Sequence, residues 1–167
     1  MNKQTISSNI VGSFTKSMNT ESHSAVIKED VEGALKLVKG EEIEGAICVV
    51  QNGKGEILGG VSLHDDERKG KVVFVGGTID KGEEYLHTAK RKLEEESGIK
   101  TVNFTKKIGI GELPNHIFVF GTTTQEELIP NEEFSSMKWY LPKDFYEATI
   151  PSNQKILKML NIVKDEE

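Results

Sequence analysis

The chain has 167 residues and a net charge of −6, with 36% apolar and 29% charged residues. This balance is typical of a soluble globular protein that is long enough to bury a core. The acidic charge and the lack of a long Lys/Arg tract argue against a protein that binds the nucleic-acid phosphate backbone, which requires clustered cations.

The only cysteine, Cys48, lies in the apolar run AICVV, a setting that favours a small buried side chain over a nucleophile. A single cysteine allows no intrachain disulfide, which fits a reducing compartment. The N-terminal residues contain no apolar core of signal-peptide length, and no stretch approaches the roughly 20 apolar residues of a membrane span. We therefore predict a cytoplasmic protein that does not bind membranes.

The first part of the chain differs in composition from the rest. Residues 1–24 are rich in Ser, Thr and Asn, which predicts a mobile or loosely packed segment. Apolar residues at helical spacing predict one helix at 28–39. We assign 1–42 to a partly flexible N-terminal extension and 43–167 to a single domain.

Apolar runs and turn signals then follow in an order typical of an α/β protein. Strands are predicted at 46–51, 56–63, 71–75, 101–110, 115–124 and 137–141. Helices are predicted at 83–97 and 151–163, with a helical turn at 142–146 and a polar loop at 64–70. Asn52-Gly53 predicts a hairpin turn, and Gly76-Gly77 is expected to end a strand. Together these elements predict a mixed β-sheet packed between helices.

The stretch from 76 to 99 reads GGTIDKGEEYLHTAKRKLEEESGI. On a helical wheel Leu86, Ala89 and Leu93 share one face, which we expect to pack on the sheet. A solvated outer face would explain the remaining charges, but their spacing allows a second interpretation.

Lys92, Glu95 and Glu96 share another face of this helix, next to the glycine pair. Mg²⁺ binds carboxylate and carbonyl oxygens and bridges to substrate phosphates, so this arrangement indicates an oxygen-ligand site. Gly76-Gly77 can adopt positive φ and bring a carbonyl close to the metal or phosphate with no side chain in the way.

This stretch resembles the Nudix box of the Nudix hydrolases, G-x5-E-x7-R-E-U-x-E-E-x-G-U, where U is aliphatic. The pattern falls on Gly77, Glu83, Arg91, Lys92, Leu93, Glu95, Glu96, Gly98 and Ile99, and eight of these nine positions match it. With the flanking strands, the resemblance covers about residues 44–163.

The resemblance implies a Nudix-like α/β/α sandwich that hydrolyses a nucleoside diphosphate linked to another group. Such proteins use Mg²⁺ or Mn²⁺ to neutralise phosphate oxygens and to activate a water. By motif position, Glu95 and Glu96 would be catalytic metal ligands, together with the carbonyl of Gly76. Arg91 and Glu83 would belong to the catalytic machinery by holding helix and loop in register.

The chain departs from the motif at Lys92, where the family has a glutamate that binds metal. An ammonium group has no acceptor lone pair and repels a cation. Three interpretations stay open: one metal suffices and Lys92 contacts phosphate, a loop acid replaces the missing carboxylate, or the domain has lost catalysis and binds a nucleotide or a protein. The candidate loop acids are Glu112, Glu126, Glu127, Glu132 and Glu133.

The predicted function is Mg²⁺-dependent (or Mn²⁺-dependent) hydrolysis of the pyrophosphate linkage of a nucleoside diphosphate derivative. The alternative is a catalytically impaired Nudix-fold module. We assign substrate contacts to Gly77, Lys92 and Glu133. The expected partner is a nucleotide-derived small molecule. Nucleic acid is expected only as a capped RNA end, and a homodimer is left open.

Other polar residues have less specific interpretations. Asp80 is predicted to be a turn residue, and His87 an exposed or partly packed side chain of the helix. His64 and His116 lie near predicted strand ends, where either one could border a cleft and touch substrate.

Overall fold

The computed structural model describes residues 9–13, 43–129 and 132–164. The predicted helix at 28–39 lies outside these residues. The division of the chain at residue 42 stays a prediction.

From residue 43 onward the elements follow the predicted order. The strands are β1 (Asn9–Ser13), β2 (Gly45–Gln51), β3 (Ile57–Ser62), β4 (Val72–Val73), β5 (Val75–Thr78), β6 (Asn103–Ile110), β7 (His116–Thr122) and β8 (Phe134–Tyr140). The helices of the described chain are α1 (Tyr85–Ser97), α2 (Pro142–Ala148) and α3 (Pro151–Met159).

Within the described residues the strands form one mixed sheet in the order β1-β6-β7-β2-β3-β4, with β5 pairing β2 and β8 pairing β3. The β2–β7 pair is parallel and the other pairs are antiparallel. The prediction of a mixed sheet is confirmed. Its central strand β2 is bordered by β7 on one side and by β3 and β5 on the other.

Two apolar cores lie on the two faces of the sheet. On the α1 face, Ala46, Cys48 and Val50 of β2 pack with Leu86, Ala89 and Leu93 of the helix. On the other face, Val49 and Phe118 pack with Phe145 of α2 and with Ile156 and Leu157 of α3. The alternation along β2 divides its side chains between the two cores, as the period of a strand requires. The predicted α/β/α layering is therefore confirmed.

The helix α1 is held to the sheet by the predicted face. Leu86, Ala89 and Leu93 are all buried, and burial of a leucine side chain contributes about 1.5–3 kcal/mol. Gly98 ends the helix with φ of 81°, and its N–H donates to the Glu94 carbonyl. A left-handed residue at this position favours glycine.

The glycine pair does not end a strand, so that prediction is wrong. Gly76 and Gly77 lie inside β5, paired with Ile47 and Ala46 of β2. Neither glycine uses the positive φ that it could adopt, since the glycines with positive φ in the described chain are at positions 55, 70, 82 and 98. Neighbouring atoms approach both positions so closely that only glycine fits there without a shift of those atoms. A Cβ on Gly76 would lie 2.5 Å from the Ala46 carbonyl oxygen, and a Cβ on Gly77 would collide with the Lys92 side chain.

β1 is an element that the sequence did not predict. Its five residues pair antiparallel with β6, with Asn9 opposite Ile110 and Ser13 opposite Lys106. This part of the predicted N-terminal extension therefore joins the sheet as a strand next to β6.

The prediction for Cys48 is confirmed. Cys48 is fully buried in β2, its Sγ lies 3.2 Å from the Ala89 carbonyl oxygen, and burial raises the pKa of its thiol. Such a thiol is not a nucleophile. Over the part of the chain described here, no helix combines the length and apolar character needed to cross a bilayer.

Candidate active site

Glu83 is the centre of a network of charged groups at the start of α1. Arg91 Nε and Nη2 donate to its two carboxylate oxygens at 2.8 and 2.9 Å. Glu83 also accepts hydrogen bonds from Thr88 Oγ1 at 2.7 Å and from the Asp80 N–H at 3.1 Å. These bonds, with Arg91 first, hold the pKa of Glu83 well below its usual range. The expected pairing of Arg91 with Glu83 is observed, and it joins the loop before α1 to the helix.

Arg91 contacts two further carboxylates. Its Nη1 lies 3.3 Å from Glu95 Oε2, and its Nη2 lies 3.3 Å from Asp80 Oδ2. The predicted turn at Asp80 is present, since the Glu83 N–H donates to the Asp80 carbonyl at 2.9 Å. The guanidinium charge is therefore compensated within the protein, and we call these four residues, Asp80, Glu83, Arg91 and Glu95, the arginine network.

Glu96 is different, because it is a buried carboxylate whose neighbours include another acid. It is 2% exposed, and its Oε1 accepts a hydrogen bond from the Gly76 N–H at 3.0 Å. Burial, followed by contact with the Glu133 carboxylate, raises the pKa of Glu96 to about 7, against the opposing effect of the Gly76 N–H. Two carboxyl groups in contact favour shared protonation or a bound cation.

Glu133 is the only one of the five candidate loop acids that lines the cleft with Glu96. Glu112 instead pairs with Lys155 at 2.8 Å, and Glu126 lies 3.5 Å from Lys54. The chain therefore brings one carboxylate from outside α1 to the glutamate that the motif singled out.

The Lys92 side chain packs across the backbone of β5 at Gly77, which has no side chain. Its Cγ, Cδ and Cε fill the space that a side chain at Gly77 would occupy, so the aliphatic stem is packed while the ammonium group reaches the cleft. The side chain is 22% exposed, and Nζ lies 3.6 Å from Glu95 Oε1. Lys92 thus places a fixed cation beside Glu96.

Glu95 lies at the margin of this arrangement. Its side chain is 49% exposed and contacts Arg91 and Lys92. It is not one of the residues that line the cleft, whereas Glu96 is. The structure therefore brings Glu96, Glu133, Lys92, Gly76 and Gly77 together and leaves Glu95 beside them. We call Lys92, Glu96 and Glu133 the charged corner.

The charged corner opens into a cleft with a volume of about 660 Å³, a size typical of small-molecule sites. β5 and α1 form one wall and the loop before β4 forms another. The loop before β7 with the first residue of that strand, and the loop before α3 with the first turn of that helix, form the third wall. Their lining residues are Leu113, His116, Ile150, Ser152 and Asn153.

The histidines divide as their positions suggested. His64 and His116 both border the cleft. His87 is 67% exposed on α1 and lies 3.3 Å from Glu83. Only the first two can touch a ligand in this cleft.

Arg68 is a cleft residue that the sequence analysis missed, because the segment 64–70 was interpreted only as a polar loop. Asp66 Oδ2 lies 2.6 Å from Arg68 Nη2, and Nε lies 3.1 Å from both carboxylate oxygens. The Asp-x-Arg spacing in a short loop was the available signal. The first turn of α3 was also missed, since no local pattern brings it near α1.

The donor set is sparse for a metal site. Across residues 43–129 and 132–164, no group of three or more His, Cys, Asp or Glu side chains is arranged to hold a metal ion. Glu96 and Glu133 supply two carboxylates in contact. That fits a hard cation such as Mg²⁺, which keeps several waters and takes other ligands from substrate phosphates.

A mixed sheet between helices, with a Glu-Arg network and a buried glutamate on the helix beside a glycine-containing strand, defines a protein of the Nudix fold. The family model described as "NUDIX domain" matches residues 42–160. The chain belongs to this family.

Solved structures agree on the fold. An Ap4A hydrolase from C. elegans has 16% identity and a TM-score of 0.58, over 71% of this chain and 96% of its own. The E. coli dihydroneopterin triphosphate pyrophosphohydrolase has 12% identity and a TM-score of 0.54, over 71% and 96%. A NUDIX-family hydrolase from Clostridium perfringens has 19% identity and a TM-score of 0.53, over 72% and 96%. A search among curated proteins found no match.

Proposed function

We propose that this protein is a pyrophosphohydrolase. It uses Mg²⁺ or Mn²⁺ to cleave a nucleoside diphosphate derivative into a nucleoside monophosphate and a second phosphorylated fragment. The observation that carries the proposal is the contact of Glu96 with Glu133 beside Lys92, in a cleft large enough for a nucleotide. Family membership supports the reaction class.

Glu96 and Glu133 would hold the divalent cation, and the Gly76 carbonyl and Glu95 are the further ligands that the motif implies. When bound, the cation would neutralise phosphate oxygens and lower the pKa of a coordinated water. The Gly76 N–H fixes one oxygen of Glu96. A side-chain hydrogen bond joins Glu96 to Glu133, and a cation bound at this pair would take the place of the proton that the two carboxyl groups share.

Lys92 binds a phosphate oxygen in this proposal and does not replace the missing glutamate as a ligand. Its stem is positioned by packing at Gly77, and an ammonium group is a point charge suited to phosphate. A cation fixed at this position would stabilise negative charge that develops on the phosphoryl oxygens. Arg91 and Glu83 act as positioning residues, because they hold the loop against α1.

A binding module is the second candidate. Lys92 at the motif's glutamate position, and the lack of a three-acid cluster over the described chain, favour it. Such a module would bind a nucleotide in the same cleft without turning it over, or would bind a protein partner.

A nucleotide panel with Mg²⁺ and Mn²⁺ separates the two candidates. The panel contains nucleoside triphosphates, sugar nucleotides, ADP-ribose, dinucleotides and capped RNA, and it is run on the unmodified protein, Glu96→Gln and Lys92→Glu. Glu94→Gln is the matched control, because Glu94 is exposed on α1 away from the cleft. Turnover by the unmodified protein that is lost in Glu96→Gln and kept in Glu94→Gln supports the enzyme. No turnover by the unmodified protein, with turnover by Lys92→Glu, supports the binding module.

A further inference from the structure

His116 has no role in the reaction proposed above, although it borders the cleft. It is the first residue of β7 and is half-buried. Its backbone N–H donates to the Leu113 carbonyl at 3.2 Å. Neither of its ring nitrogens has a hydrogen-bond partner among residues 43–129 and 132–164. A half-buried imidazole without a protein partner is available to a ligand.

The position of the imidazole depends on Gly45. The parallel register of β2 and β7 places Gly45 beside His116. A Cβ on Gly45 would lie 2.6 Å from His116 Cδ2 and 2.9 Å from Nε2. Atoms do not approach this closely without a shift, so the ring occupies the space that a side chain at position 45 would need. The lack of a side chain at Gly45 therefore leaves the space in which the ring lies.

The imidazole is held in a form that can both donate and accept a hydrogen bond. Burial lowers the pKa of His116, against the opposing effect of the Glu44 charge. Near pH 7 the ring is therefore neutral, with one N–H and one acceptor nitrogen. A neutral ring can stack on a planar heterocycle and contact its edge.

His116 shares the cleft with three aliphatic side chains, beside the polar first turn of α3. Ile47, Leu113 and Ile150 are half-buried and line the cleft with it. β7 and β5 pair with opposite edges of β2, so His116 and the glycines of β5 are separated by two strand spacings, about 10 Å. The cleft thus has an apolar end at His116 and a charged end at the charged corner.

We propose that His116, with Ile47, Leu113 and Ile150, binds the base of the nucleotide while its phosphates lie at the charged corner. This rests on the proposed function in taking a nucleotide as the ligand, but it concerns binding and not turnover. A planar base with hydrogen-bonding edges matches a half-exposed imidazole among aliphatic side chains.

The test compares a ligand that has a base with one that has none. The dissociation constants of the four nucleoside monophosphates and of inorganic phosphate are measured by calorimetry in Mg²⁺. No monophosphate contains the linkage that the enzyme would cleave. His116→Ala should weaken the best-bound monophosphate about tenfold, as expected from loss of one stacking contact. Binding of inorganic phosphate should change less than about twofold, which is within ordinary mutational noise.

Gly45→Ala provides a second variant that acts through the same ring. It should weaken the monophosphate in the same direction, and the double variant should be no weaker than His116→Ala alone, because the displaced ring is already absent. Gly109→Ala is the matched glycine control, since a Cβ there meets nothing within 4 Å. His87→Ala is the matched histidine control. If Gly45→Ala does not fold, as judged by thermal unfolding, His116→Gln replaces it and should retain part of the binding.

Three results would overturn the base subsite: an unchanged monophosphate constant in His116→Ala, an equal loss for inorganic phosphate, or an additive loss in the double variant. Failure of the proposed function gives a different result. If the unmodified protein does not hydrolyse the panel but still binds monophosphates through His116, the pyrophosphohydrolase proposal fails and the base subsite is supported.

Discussion

The arginine network and the charged corner lie on the same helix but balance charge in opposite ways. In the network, the Arg91 guanidinium contacts the carboxylates of Asp80, Glu83 and Glu95. In the corner, two carboxyl groups contact each other, and the pKa of Glu96 is raised. Mutual compensation is typical of a structural role, whereas a raised pKa beside a cleft is typical of a functional site. This difference supports our proposal that the arginine network holds the loop against α1 and that a ligand binds at the charged corner.

The largest effect that this comparison predicts is on activity at the charged corner. Glu96→Gln keeps an acceptor for the Gly76 N–H but loses the charge that a divalent cation needs. Hydrolysis should fall about 10²–10³-fold, the range expected for loss of one charge-stabilising group. Steady-state kinetics on the best substrate of the panel measures this, with Glu94→Gln as the control. An unchanged rate would remove Glu96 from the site.

The two glycines of β5 give the next largest effect and separate activity from stability. Gly77→Ala would displace the flexible end of Lys92. Loss of the Lys92 contact with phosphate, worth roughly 1.4 kcal/mol, should lower turnover about tenfold. The melting temperature should change little. Gly76→Ala would instead meet the Ala46 carbonyl oxygen, a backbone atom that cannot move aside. It should lower the melting temperature clearly. Kinetics and thermal unfolding on both variants check this, and equal losses of stability would contradict it.

A smaller effect is expected when the geometry of the arginine network changes and its charge is kept. Arg91→Lys retains the cation but loses the two-atom contact of Nε and Nη2 with Glu83. Because lysine cannot form that fork, the loop before α1 should loosen and KM should rise several-fold. The matched control is Lys90→Arg, at an exposed position one residue earlier. A change in kcat alone would contradict a positioning role.

The smallest predicted effect is a pH dependence of the protein's thermal stability, measured in the presence of a metal chelator. The pKa of Glu96 is raised from 4.5 to about 7, so the folded state favours the protonated carboxyl. Its contribution to stability is full below the unfolded-state pKa and is lost as the pH rises through about 7. The melting temperature should fall between pH 5.5 and 8, and Glu96→Gln should reduce this difference.

Addition of Mg²⁺ extends the same measurement. A cation binds the deprotonated carboxylates, so Mg²⁺ should raise the melting temperature more at pH 8 than at pH 5.5. An equal rise at both values, or the same rise in Glu96→Gln, would place the cation elsewhere.

The features that the sequence predicted correctly depend on local spacing. The buried face of α1, its end at Gly98 and the contact of Arg91 with Glu83 all follow from positions within one helix and the loop before it. Gly76-Gly77 was misinterpreted because paired glycines usually mark turns. Here their small size serves a close approach of Lys92 and β2 inside a strand.

The features that could not be predicted depend on contacts between distant segments. Sequence left five loop acids as equal candidates, and the register of β8 on β3, which begins at Phe134 opposite Ser62, decides in favour of Glu133. The position of His116 over Gly45 requires the parallel β2–β7 register. Neither register leaves a signal in nearby residues.

β1 has a consequence for how the molecule meets its neighbours. Its five residues pair with the outer edge of β6, a strand of eight residues. Without β1, the unpaired N–H and C=O groups on that edge of β6 could pair with a strand of another polypeptide. The sheet therefore ends on this side at a strand of five residues in place of one of eight, and a short edge strand is one way in which proteins limit edge-to-edge pairing. A version of the protein shortened past Ser13 would expose that edge and acquire a tendency to aggregate.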